Sequence, residues 1–169
     1  MVKLSSVLED VPIAGNSSFR ILRNKYLNNF YYWHFHPEYE LCYISAKKGT
    51  RQIGDHKGEY TEGDLALIGP YLPHLNFDFG QKNTDYEITV LHIDENFLAS
   101  DLEKVKELKN IKQLLSDSKK GIVFCQEMKS IGTRIQKLAQ LTSFPLFKEV
   151  LSILNELSDP KNYRLLHEK

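Results

Sequence analysis

The apolar pattern of this chain changes period near Asp94. Ahead of that residue, short runs with two-residue alternation are separated by turn-forming clusters, which is the pattern of β-strands. The runs predict strands over Phe19 to Leu22, Phe30 to His36, Glu40 to Ser45, Arg51 to Gly54, Asp64 to Ile68, Leu75 to Phe79 and Tyr86 to Ile93. Lys47-Lys48-Gly49, Gly54-Asp55-His56-Lys57-Gly58 and Gln81-Lys82-Asn83-Thr84-Asp85 read as the turns between them. Many short strands at close spacing indicate a sandwich or small barrel instead of a parallel α/β sheet. Leu65, Ala66, Leu67 and Ile68 are apolar on both faces. One face is therefore expected to line an interior and the other to pack on a second layer.

Past Asp94 the period becomes helical, and three helices are expected. Leu98, Leu102, Val105, Leu108, Ile111 and Leu115 form a first stripe, with Ser100-Asp101-Leu102-Glu103 resembling a capping box. Gly121 stops that helix, and Ile122-Val123-Phe124 reads as a short extended connector. A second helix carries Met128, Ile131, Ile135, Leu138 and Thr142. A third has Pro145 in its first turn and Phe147, Val150, Leu151, Leu154 and Leu157 on one side. Leu146 and Ile153 widen this last stripe beyond what one contact surface needs. Leu146, Val150, Ile153, Leu154 and Leu157 are thus the expected helix-to-helix contact of a homodimer. The chain divides on this reading into a β-barrel with an N-terminal arm (1–93), a helical dimerisation subdomain (94–158) and a polar linker (159–169).

Composition narrows the classes. The 169 residues are 41% hydrophobic and 26% charged, which suits a globular fold with a real core. Lys plus Arg equals Asp plus Glu, 22 against 22, so the chain lacks the basic surplus with which proteins engage nucleic-acid phosphates. Two cysteines, Cys42 and Cys125, make neither a disulfide framework nor a thiolate metal motif, and Cys42 reads as a small core residue. No apolar stretch approaches a membrane span and no signal-peptide core follows Met1, so a cytoplasmic location is expected.

The candidate chemistry lies in Trp33-His34-Phe35-His36-Pro37-Glu38-Tyr39-Glu40 and in Leu72-Pro73-His74. In a regular strand, positions 34, 36 and 40 share a face. His34, His36 and Glu40 with a fourth ligand, His74, from a later strand would form a nitrogen- and oxygen-rich cage suited to zinc, nickel, manganese or iron. The competing reading is a metal-free polar cluster that hydrogen-bonds internally or touches a small molecule. His56 reads as a solvated loop residue and His167 as a tail residue without a role. His92 alternates with Tyr86, Ile88 and Val90, and a core position is favoured over a site position. Trp33, Tyr39, Tyr43 and Tyr71 are packing or rim residues on this reading.

These motifs resemble the cupin superfamily, with His-x-His and Glu in the first motif and Gly63 followed by His74 in the second. Gly49 falls two residues later than that pattern, Gly69-Pro70-Tyr71 stands in place of Pro-x-Gly, and Asp78 where Asn is usual. Three segments in order, Trp33 to Leu41, Gly63 to His74 and Ser118 to Phe124, resemble the N-terminal domain of AraC-type transcription regulators. The resemblance implies a mainly β fold with α: a cupin-type β-barrel (double-stranded β-helix) followed by about three C-terminal helices. It also implies a small-molecule effector such as a sugar, a homodimer, and DNA contact through a C-terminal helix-turn-helix domain beyond this chain's end. An N-terminal arm from Met1 to Ser18 would close over the pocket by the same analogy. A stand-alone metal-dependent cupin enzyme, a dioxygenase or isomerase, is the alternative, and a ligand-free interaction platform ranks last.

Overall fold

Strand alternation before Asp94 resolves into two sheets that face one another. The computed structural model describes residues 5–25, 32–79 and 85–167. Met1 to Leu4, the start of the strand expected from Phe30, and most of the turn at 81–85 lie outside these residues. The strands are β1 (Val7–Leu8), β2 (Phe19–Asn24), β3 (Trp33–Phe35), β4 (Tyr39–Ser45), β5 (Lys48–Ile53), β6 (His56–Thr61), β7 (Asp64–Ile68), β8 (His74–Leu75), β9 (Glu87–Ile93), β10 (Ile122–Phe124) and β11 (Tyr163–Leu165). The helices are α1 (Lys109–Asp117), α2 (Gly132–Lys137) and α3 (Ser143–Leu157). One sheet has the order β1-β3-β8-β5-β6 and the other β11-β10-β7-β4-β9-β2.

The large sheet buries both faces because its strands alternate between two apolar cores. Leu41, Leu65, Leu67, Leu91 and Ile93 point to the helices, while Cys42, Ile44, Ala66 and Ile68 meet Ile53 and Tyr60 of the small sheet. This is the two-layer arrangement expected from the doubly apolar run at 65–68. Where the elements differ from expectation, polarity explains why. The segment 54–58 contains a two-residue turn only, Gly54-Asp55, with Ile53 and His56 paired across it. Gly54 has φ +53°, the left-handed conformation such a turn requires. Strand β6 has the polarity of a loop, because Lys57, Glu59 and Thr61 give it an exposed polar side. Strand β5 begins at Lys48, inside the expected turn, and β8 stops at Leu75 in place of running to Phe79.

Behind Asp94, the first stripe begins as two 3-10 segments, Ser100–Lys104 and Lys106–Leu108, before α1 starts. Gly132 opens α2 against the Tyr43 ring, where a Cβ would lie 2.1 Å from the ring carbon Cζ. A larger residue there would have to push the Tyr43 ring aside. The connector 122–124 is a full member of the large sheet, paired with β7, and Tyr163–Leu165 extends the sheet as its edge strand. The division at Asp94 and the linker from Asp159 are therefore not structural breaks. The later segments add two strands to the sheet built by the earlier ones.

The residues expected at a dimer contact are core residues of the single chain. Val150, Ile153, Leu154 and Leu157 are 0% exposed and Leu146 is 7% exposed. All five join the cluster formed by the large sheet's outer face and α1. The stripe on α3 is wide because the helix is enclosed from more than one direction, so width alone did not signal a partner. The outward residue with exposed apolar surface on this helix is Phe144, 70% exposed.

Two polar contacts in this frame have measurable consequences. Arg51 Nη1 donates to Asp64 Oδ2 at 2.7 Å between the sheets, with both side chains buried. Burial raises the Asp64 pKa even though Arg51 opposes the shift. The pair is thus a costly one to bury, and removing one partner is worse than removing both. Asp64→Leu should lower unfolding free energy by about 3–5 kcal/mol. The double variant with Arg51→Met should recover most of that loss in urea titrations. At the other edge, the Tyr163 hydroxyl donates to Asp117 Oδ2 at 2.8 Å. Burial and then this bond push the phenol up to about 12. The folded state therefore holds this proton more tightly than the unfolded chain does. Its stabilisation is complete below pH ~10 and is lost as pH rises toward ~12. Tyr163→Phe should flatten that alkaline loss in denaturation curves taken across this range.

Candidate functional site

The four expected ligand residues meet, but not along one regular strand. β3 ends at Phe35 and β4 begins at Tyr39 in the opposite sheet, so Pro37 and Glu38 carry the chain across. His34 and His74 are directly opposed residues of β3 and β8 in the small sheet. Glu40 is opposed to His92 across β4 and β9 in the large sheet. His36 stands at the crossing. Facing sheets, and not a shared strand face, bring these side chains together at one end of the interior.

The geometry centres on one carboxylate oxygen. Glu40 Oε2 lies 3.2 Å from His36 Nε2, 3.4 Å from His74 Nε2 and 3.3 Å from His92 Nε2. Donor atoms of His34, His36, Glu40 and His74 all lie within 4.8 Å of one another, and all four residues are buried. His34 and His74 rings meet edge to face with centroids 4.2 Å apart. His92 is the residue that sequence reasoning assigned to the core. Its parity with Ile88 and Val90 was legible, but its register opposite Glu40 was not. The other missed residue is Glu9, whose Oε2 lies 3.1 Å from His34 Nε2.

Burial and mutual charge set the ionisation of the cluster. Burial, then repulsion from His74, lowers the His34 pKa to about 4, which leaves its ring neutral at pH 7. Burial also works against a charged His36, but the hydrogen bond and charge of Glu40 override it and the His36 pKa is raised. Glu40 is held well below the ordinary carboxylate range. Its burial would raise it, yet the charge of His74 and hydrogen bonds from His36, His74 and His92 prevail. Cys42, next along the interior, has a thiol pushed well up by burial, in keeping with a packing role.

The donor set fits a divalent cation. His34 Nδ1 lies 3.0 Å from Tyr32 O and His74 Nδ1 lies 2.9 Å from Leu72 O. A carbonyl accepts only, so each Nδ1 is a donor to the backbone and each Nε2 is the ring nitrogen left to face the cluster. His74 Nε2 faces Glu40 Oε2 at 3.4 Å. Backbone bonds of this kind fix ring orientation in metal sites. Bonds of about 2.0–2.2 Å to zinc-like ions place neighbouring ligand atoms about 3.0–3.5 Å apart, which is the spacing seen around Glu40. His34, His36, Glu40 and His74 could therefore hold a cation, with His92 orienting Glu40 from behind.

The remaining candidates separate from this site. His56 begins β6 and is half-buried, and His167 Nε2 contacts Ile53 O at 3.0 Å, so the C-terminal end is tied to the β5–β6 turn. Tyr39 and Tyr43 pack on the helix-side core, and Tyr71 is exposed. A cleft of about 460 Å³ lies elsewhere, beside Thr50, Gln52, Lys57, Leu75 and Phe79.

Two facing sheets with a histidine–carboxylate cluster at one end and helices on the outer face define a cupin-like ligand-binding domain. The chain belongs to the AraC-like ligand binding domain family, whose model matches residues 16–159. Among solved structures, an apo ToxT variant from Vibrio cholerae aligns with TM-score 0.53 at 13% identity, covering 84% of this chain and 55% of that one. A second ToxT structure from the same organism aligns with TM-score 0.50 at 12% identity, covering 80% and 54%. The chain thus spans about half the length of these structures, and at such identity the likeness concerns the fold. No curated protein matches the chain. None of the described helices is long and apolar enough to cross a membrane.

Proposed function

We propose that this domain is the sensing half of a transcription regulator, in which a small molecule binds at the histidine–carboxylate end of the interior. The observation that carries the reading is the inward-facing cluster of His34, His36, Glu40, His74 and His92 within a fold of the AraC-like ligand-binding family. Five titratable groups aimed together are a poor choice for a purely structural core, because unsatisfied polar groups are costly there. The effector would be a small polar molecule, with sugars one candidate class. A divalent cation, zinc, nickel, manganese or iron, would be held by His34, His36, Glu40 and His74. Bound there, it would offer the effector a positive centre for its oxygen atoms.

Ligand binding would change DNA contact through a helix-turn-helix domain outside this chain, and the protein would act in the cytoplasm as a non-enzymatic homodimer. A ligand shifts such an equilibrium only by binding its two states unequally. A dimer built on α3 would use outward residues such as Phe144, not the buried five. Thermal-shift screening of sugars and small carbonyl or phenolic compounds tests the sensor reading. A specific stabilisation that disappears in His36→Ala is the expected result. The cation-type donor set also favours a second reading, a metal-dependent enzyme. Turnover of a screened compound by the metal-loaded protein would replace the sensor with that enzyme.

A further inference from the structure

The C-terminal segment closes against the backbone corner that carries His74. His167, a tail residue without a role on the sequence reading, is half-buried, and its Nε2 donates to Ile53 O at 3.0 Å. Ile53 is the β5 residue paired with His74. The next residue, Gly54, donates its amide to Pro73 O at 2.7 Å. A Cβ on Gly54 would lie 2.6 Å from His167 Nε2 and 3.5 Å from Leu72 Cδ1, so the imidazole rests directly on this turn. Leu72 O in turn accepts from His74 Nδ1 at 2.9 Å. One corner, 72–74 with 53–54, thus carries the His74 ring on one side and the His167 ring on the other.

We propose that His167 is a positioning residue for the candidate site, and that His74 and the segment Tyr163–His167 are held as one unit. The proposal rests on the sensor reading above and deepens it. It gives the site a route to the C-terminal side, where the DNA-binding domain of the proposed regulator would follow. The segment itself belongs to the large sheet: β11 pairs with β10, and the Leu166 and His167 amides donate to Gly121 O and Lys120 O at 2.9 and 3.1 Å. Leu166 packs with Leu72 against the cluster that contains Ile53. The His167–Ile53 bond then joins this large-sheet element to the small sheet at the His74 corner. Whatever holds His74 more firmly therefore holds the segment more firmly, and by the same factor.

The test uses the 169-residue chain and needs no added ligand. NMR of the imidazole nitrogens reports the His74 ring, and amide hydrogen exchange reports Gly54, Leu166 and His167. His167→Ala should shift the His74 ring signals and speed Gly54 exchange about fivefold, the factor that one net hydrogen bond amounts to. His167→Gln, whose side-chain amide can donate to Ile53 O, should restore both. From the other side, His74→Ala should speed exchange at Leu166 and His167 by a similar factor. Should His74→Ala not fold, the His167 variants still decide the question. Lys161→Ala, at an exposed position just ahead of the segment, should match the unsubstituted chain throughout. If His167→Ala leaves the His74 signals and Gly54 exchange unchanged, the contact is a passive one and the proposal falls. It falls equally if exchange at Leu41 and Leu91, buried in the large sheet, rises by the same factor, because the loss is then global. A compound screen without a binder would sink the sensor reading alone, since the His167–His74 linkage is measured without a ligand.

Discussion

Val150→Glu is expected to unfold the domain, not to separate a pair of folded copies. Val150 is fully buried in the cluster that joins α3 to α1 and to the outer face of the large sheet. A carboxylate placed there has no cation partner prepared for it, and an unpaired buried charge costs several kcal/mol even after relaxation. Domains of this size are stable by about 5–15 kcal/mol, so one such substitution removes a large share of the total. Circular dichroism melts should show loss of the cooperative transition or a large drop in its midpoint. Phe144→Glu, on the same helix but facing solvent, should melt like the unsubstituted chain. A folded Val150→Glu monomer with an unshifted midpoint would return α3's inner stripe to the role of a dimer surface.

Glu40→Gln should have the largest effect at the site itself. Its carboxylate is the common neighbour of His36, His74 and His92, at 3.2–3.4 Å from each. The amide keeps the size but loses the charge, and its NH2 turns donors toward rings that were donating to an acceptor. Zn2+ affinity should fall by about a hundredfold or more, since even outer partners of a metal site are worth 10–100-fold. Without metal, the histidines lose the anion that paired them, and unfolding free energy should drop by about 3 kcal/mol, as for other broken buried pairs. Calorimetric titration and urea denaturation measure the two effects separately. Equal Zn2+ affinity in both proteins would show that Glu40 binds no ion, and an unchanged urea midpoint would show that the imidazoles do not depend on its charge.

Much of the fold was legible because period and punctuation are local properties. Asp64–Ile68 was read to the residue, since its apolar run is bounded by Gly63 and Gly69. Three helices were expected and α1, α2 and α3 are present. Strand β6 was not legible, because a half-exposed strand rich in Lys and Glu has the composition of a loop. Strand β10 was read as an extended connector, but its place in the sheet was not legible, and neither was β11, because these strands form their ladders only with each other and with β7.

The site divides the same way. Sequence alone singled out His34, His36, Glu40 and His74, four residues that the structure brings together. It also determined that Leu146, Val150, Ile153, Leu154 and Leu157 form an apolar stripe on one helix. Tertiary structure decided what those sets face. His34 and Glu40 meet because β3 and β4 belong to opposing sheets, and His92 joins through a pairing 52 positions away in the chain, Glu40 with His92. Glu9 arrives by a parallel pairing with β3 that no local pattern announces. The helix stripe turned inward because the large sheet offers an apolar outer face of its own. Periodicity records how a segment presents its side chains, whereas the partner of each face is set by long-range pairing, which depends on every other segment at once.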